Sequence, residues 1–410
     1  MTVVAPDPTD QFDAVVAGDP SIDRHAVYTR LREQHPIFFS EPLQAWVLTR
    51  YDDVRHVLED EETFHHLTEG RGAPIYGRSL LQWRGREHNK KSGPVVKRIR
   101  SPRAFKEGLD EMVRGVTVTV ADRLPMDEPL DLKQSYTMWM PLLVITEVLD
   151  IHEGQAFRNW YHAIAQGGVT SIARPDLRDA AFEALSQLRE LLEPIVEERK
   201  RDPGSDLVSD LAHAEYDGEP FPFEEIVATV AFLLTAGVET TERVLASLFR
   251  HMALHPDEWE ALRARRGDRN FLQSLSAESL RYFPPVHGLT RGVATEVTFH
   301  GVTIEPGGRL MVSLVSANRD EDHFDRSQEF DPDRWLANAE RQFVAGGKIL
   351  PFGAGRHHCA GSRLAGVEMV HGIRELADRV AVIEPDGELP QAEGFMLNSP
   401  MRLPVTLRAA

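Results

Sequence analysis

Apolar positions recur every three to four residues in DRHAVYTRLREQHPIF (residues 23–38), a spacing that predicts a helix ending before Pro36. AWVLTR then predicts a short strand, and YDDVRHVLEDE a second helix. Residues 65–82 carry turn punctuation and read as a long loop, a type of segment that is often a functional lid. Helical periodicity dominates residues 102–281, including the stretches around Leu142, Trp160, Leu185 and Leu233. After Pro284, VTFHGVTI and RLMVSLVS predict strands, and residues 361–380 return to helix. The pattern predicts a mainly α protein with small β-sheets. No linker, repeat or strand–helix alternation divides it, so residues 1–410 read as a single domain.

The longest helical candidate is residues 222–256, with Pro222 suited to its first turn and Glu224 and Glu225 complementing the helix dipole. At 1.5 Å per residue it would be roughly 50 Å long. Its middle, IVATVAFLLTAGV, is apolar on every face, which predicts a central position. The formal net charge of -18 excludes a general nucleic-acid binder, which needs clustered Lys and Arg. No apolar run is long enough for a bilayer, the first residues lack a signal-peptide pattern, and the one cysteine cannot form an internal disulfide. A cytoplasmic protein without membrane or nucleic-acid partners is expected.

That one cysteine lies in PFGAGRHHCAGSRLAGVEM. Gly353, Gly355 and Gly361 let backbone approach a flat group, and Cys359 stands at the start of a predicted helix, where N–H groups favour a thiolate. A buried structural cysteine would look the same from composition alone. A zinc site fits poorly, because His357, His358 and Cys359 are adjacent. Within the central candidate, AGVETT places small residues, Ala236 and Gly237, beside an acid and a hydroxyl, Glu239 and Thr240. A helix turning amphipathic near its exposed end gives the same pattern. A Thr bonding the carbonyl four residues back would instead bend the helix and open a groove.

FGAGRHHCAG resembles the haem-binding loop of the cytochrome P-450 superfamily, with six positions agreeing in order within ten residues. The resemblance extends over nearly the whole chain. It implies the cytochrome P-450 fold, haem b (heme b, iron protoporphyrin IX) as cofactor, and Cys359 as the axial thiolate ligand of the iron, which favours O–O cleavage. It further implies that His357 reaches a haem propionate, that Phe352 and Gly353 shape the loop near the sulfur, and that Arg291 in LTRGV binds a propionate. AGVETT resembles the family's oxygen helix, which implies that Thr240 supports dioxygen and Glu239 belongs to a proton relay. Glu278 and Arg281 in ESLRYFPP resemble the family's ExxR pair, joined by Arg334 of FDPDRW, with a structural role. Read from the residues alone, that pair is an exposed i,i+3 ion pair. One departure stands out: GREHNKKSG has His88, but Ser92 where an Arg is usual, so Arg98 is the candidate for a shifted propionate contact.

By the same resemblance, the substrate pocket is lined by Tyr76, Trp83, Phe232, Ala236, Val286, His287, Leu289, Phe395 and Met396. Most are apolar, which points to a small or medium apolar substrate, with His287 free to address an oxygen. Each could equally be plain core. The implied activity is a monooxygenase performing hydroxylation, epoxidation or O-dealkylation. A peroxide-driven peroxygenase or isomerase, and a non-catalytic haem-binding docking protein, are the competing functions. With a single cysteine the chain cannot hold a Cys-ligated cluster. Electrons are therefore expected from an acidic ferredoxin and a ferredoxin reductase using NAD(P)H. Lys90, Lys91, Lys97, Arg98, Arg100, Arg103 and Lys106, with Arg356 and Arg363, form the expected docking patch.

Overall fold

The computed structural model describes residues 7–67, 75–170 and 175–410, with the side chains of 168–170 left aside. The lid expected at residues 65–82 therefore lies partly outside the described residues. Helices predominate, and the largest sheet has five strands. Its order is Ile37–Ser40, Ala45–Leu48, Arg309–Ser313, Gly288–Val293 and Phe64–His65. Arg309–Ser313 runs parallel to Ala45–Leu48 and antiparallel to Gly288–Val293, with Val312 opposite Leu289 and Leu310 opposite Arg291. Leu289 and Arg291, two residues apart, share one face of their strand.

The central helix is Phe223–Leu254, 32 residues, or about 48 Å. Pro222 precedes it as the N-cap residue with ψ 136°, instead of occupying its first turn. Its first half, with Val230 and Leu234, packs in one apolar core, and its second half, with Leu245 and Phe249, in another. Ala236 to Thr241 lie at the passage between the two, where small side chains leave room.

Other differences from the sequence pattern have local causes. A first helix, Pro8–Val16, starts where the Asp7 carboxylate accepts from the Thr9 N–H. The helix expected to end before Pro36 is Arg24–Gln34, and the strand Ile37–Ser40 follows it directly. RLMVSLVS is strand only to Ser313, whose hydroxyl accepts from the Ser316 N–H and opens the short helix Leu314–Ala317. An unbroken apolar run does not distinguish the two states.

Glu278 and Arg281 are fully buried on the helix Arg269–Tyr282. Arg281 forks onto Glu278 at 2.7 and 2.8 Å, and Arg334 Nε reaches the same carboxylate at 3.0 Å. Trp335 Nε1 and the Asp331 N–H also donate to it. This is a buried, saturated ion cluster and not the exposed pair that spacing alone allows.

Candidate active site

The loop around Cys359 is held by backbone geometry. The Gly353 N–H donates to Leu350 O and the Cys359 N–H to Phe352 O, each under 3 Å (2.8 and 2.9 Å). Gly355 has φ +68°, and a Cβ there would stand 2.8 Å from Glu59 Cα and Leu58 O. The following helix is Ser362–Arg379, so Cys359 sits just ahead of its first turn. The thiol keeps open surface, and it lines a cavity of about 430 Å³. Burial pushes the Cys359 thiol up, while the Gly361 N–H and the Arg100 guanidinium favour the thiolate.

Opposite the sulfur stands the middle of the central helix. Ala236, Gly237 and Thr240 line the cavity, and the Thr240 hydroxyl donates to Ala236 O at 2.9 Å. Gly237 also serves packing: a Cβ there would meet Ile145 Cδ1 at 2.9 Å. Phe232, Val286 and Leu289 complete an apolar wall, joined by Leu80, Ile145 and Leu233, which the sequence reading did not single out.

Glu239 does not line the cavity. Its carboxylate accepts from Arg243, one turn on, at 2.7 Å, and Arg243 also donates to Ser399 Oγ. An acid that does line it is Glu368, on the helix after the cysteine. Thr241 Oγ1 donates to Glu368 Oε2 at 3.1 Å, Oε1 has no partner, and burial pushes this carboxyl up to about 8. It is thus largely protonated at neutral pH.

At one edge of the cavity, positive and imidazole groups gather without a full set of partners. Arg291 is buried, among the described residues its guanidinium donates only to Thr290 O, and burial lowers its pKa to about 10. The His88 and His357 rings lie 4.4 Å apart, and His66 is 4.7 Å from His357. His66 Nε2 and His88 Nδ1 are buried without partners among the described residues. Burial first, then His88, Arg291 and Arg356, lowers His357 to about 3. Glu61, which pairs with Arg356 and lies 3.2 Å from His357, is the acid among them. Donors left over in such a place call for an anionic group with acceptor oxygens, and the carboxylates of a haem fit.

Several expected contacts fall elsewhere. Arg98 does not face the cavity: its Nε donates to Asp210 at 2.7 Å and Nη1 to Ser205 O. Arg100, two residues on, takes the place facing Cys359. His287 is buried outside the cavity, its Nδ1 3.3 Å from Arg24, and burial lowers it to about 3. Phe395 stacks edge-on against Phe12 at 5.6 Å, and Met396 joins the same N-terminal core instead of the cavity wall. Trp83 is fully buried against Phe221, with the Lys91 ammonium 5.6 Å above it. Tyr76 packs on Phe232 at 5.9 Å without lining the cavity. No spacing signal marks His66, Arg100 or Glu368, whose roles arise from the fold.

The cytochrome P450 family model matches residues 157–376. The chain belongs to the cytochrome P450 family. It is 30% identical over 377 residues to cytochrome P450 107B1 of Saccharopolyspora erythraea, covering 87% of each chain. It is 28% identical to the mycinamicin IV hydroxylase/epoxidase of Micromonospora griseorubida, covering 92% of this chain and 94% of that one. Among solved structures, CYP109E1 of Bacillus megaterium in complex with corticosterone matches with a TM-score of 0.80 at 25% identity, over 94% and 98% of the two chains. As a P450 the protein is a haem b oxidoreductase. No helix among the described residues is long and apolar enough to cross a membrane.

The unpartnered donors make haem retention testable. Arg291→Ala should lose haem to an acceptor globin severalfold faster than the wild type, with Arg291→Lys intermediate because a point charge replaces a fork. Equal loss rates in all three would mean that Arg291 does not hold the group.

Proposed function

We propose that this P450 is an O2-dependent monooxygenase acting on a small or medium apolar substrate, by hydroxylation, epoxidation or O-dealkylation. The observation that carries the reading is the cavity itself. Cys359 closes one side, Phe232, Val286 and Leu289 form an apolar wall, and the central helix brings the Thr240 hydroxyl to the same cavity. Haem b bound through Cys359 supplies the oxygen activation. Phe232, Val286 and Leu289 would desolvate and orient the substrate. The names of the related hydroxylase/epoxidase and the steroid-bound neighbour support an apolar substrate.

In this reading Thr240 holds and passes a proton at its Oγ. Glu239 would resupply it after its carboxylate leaves Arg243, which now occupies it. The Thr240 hydroxyl on the cavity wall favours this reading over peroxide-driven chemistry, which has no use for a proton relay. Thr240→Ala should therefore keep substrate binding and haem absorption while product per NAD(P)H falls severalfold and hydrogen peroxide rises. Unchanged coupling would remove Thr240 from the relay.

Electrons, in our reading, come from an acidic ferredoxin and its reductase, docking on the cysteine side. The expected patch is smaller than the run of basic residues suggests. Lys91 is buried on Glu225 and Glu87, Arg98 is paired with Asp210, Arg103 with Glu107, and Arg356 with Glu61. Lys90, Lys97, 3.9 Å from Asp210, and Lys106 remain exposed, and Arg363 shares a groove with Lys106. Steering by exposed charges is screened beyond about 8 Å at physiological salt. Lys97→Glu with Lys106→Glu should slow reduction by an acidic ferredoxin at low salt, converging with the wild type as salt rises. Equal rates at all salt concentrations would place docking elsewhere.

A further inference from the structure

Far along the central helix from Thr240, its last turn carries His251 and, one turn on at the helix end, His255. Glu258 stands in the first turn of the next helix, Pro256–Ala264. Among the described residues these three converge: one ligand atom from each lies within 4.8 Å of the other two. His251 Nε2 and Glu258 Oε2 are 2.9 Å apart. The two imidazoles are stacked, with centroids 4.1 Å apart and planes 23° off parallel. They therefore present their edges side by side.

We propose that His251, His255 and Glu258 form a binding site for one first-row divalent ion of the zinc class. The donor set is two imidazoles and one carboxylate, which suits zinc with a water in the fourth position. His255 is already oriented for it. Its Nδ1 lies 2.8 Å from His251 O, one turn back, so Nδ1 carries the proton and Nε2 keeps the lone pair. The His251 ring is fixed from behind by Phe283 and Phe330, at 5.5 and 4.9 Å. The C-terminal end of a helix adds a negative dipole that favours a cation. The ion takes the place of the proton between His251 and Glu258, and small rotations of the two exposed side chains, His255 and Glu258, bring the donors to bonding distance.

Such an ion ties the last turn of the central helix to the first turn of its neighbour across Pro256. It is remote from the cavity, whose lining includes none of the three residues. Its effect is therefore on stability and not on the haem.

Titration of the haem-loaded protein with zinc chloride in a non-chelating buffer, followed by calorimetry, tests the site. One equivalent should bind saturably, the melting temperature should rise, and the Soret band should not move. His255→Ala and Glu258→Gln, both at exposed positions, should each weaken binding at least as much as the about tenfold that loss of an outer-shell partner costs. His152→Ala, which alters another surface imidazole beside carboxylates, Glu147 and Asp150, should leave binding unchanged. Absence of saturable binding, or binding that survives both His255→Ala and Glu258→Gln, or binding lost in His152→Ala instead, would overturn the assignment.

Discussion

A carboxylate taken wholly out of water is the constraint around which the cysteine side of this molecule is built. Glu278 has no access to solvent, and an unpaired charge there would cost several kcal/mol. Every donor that answers it belongs to a segment that must therefore be in place. Arg281 comes from the same helix, and Arg334, Trp335 and the Asp331 N–H from the meander that follows the sheet. Arg281 in turn donates to Asn318 O and Ser327 O, and the Asn318 side chain accepts from the Leu350 N–H. Leu350 O then accepts from Gly353. An unbroken set of hydrogen bonds thus runs from Glu278 to the loop that presents Cys359.

Motifs that depend on backbone geometry were legible in the sequence. Gly353 and Gly355 both have positive φ, and another backbone passes close to Gly355, demands that leave few alternatives. The small residues of the central helix stood out in an apolar run, and at Gly237 a Cβ would meet the Ile145 side chain. Long-range neighbours were not. His287, Phe395 and Met396 look like pocket residues by position, but a first helix, Pro8–Val16, packs Phe12 against Phe395, and Arg24 engages His287. The start of that helix depends on a single capping Asp, and its apolar stripe is short. Local charge runs misled in the same way. Lys91 and Arg98 belong to a basic stretch in sequence, yet their carboxylate partners, Glu225 and Asp210, come from more than a hundred residues away.

Function follows from the asymmetry of the cavity. Its edge collects Arg291, His66, His88 and His357, whose polar atoms are not all satisfied among the described residues, whereas Phe232, Val286 and Leu289 make another wall apolar. The first arrangement suits a group with two carboxylates, and the second suits a substrate that water would otherwise hold. Arg100 stands beside the sulfur, where its charge favours the thiolate, and Glu368, its carboxyl pushed up by burial, lies beside Thr241.

All of this rests on Cys359 being the ligand that faces the haem. The most direct measurement is the absorption spectrum of the reduced, carbon monoxide-treated protein beside that of Cys359→Ser. The account predicts the red-shifted Soret band of a thiolate-ligated haem in the wild type and its loss in the variant. An imidazole-type spectrum in the wild type, or a red-shifted band that persists in Cys359→Ser, would contradict it.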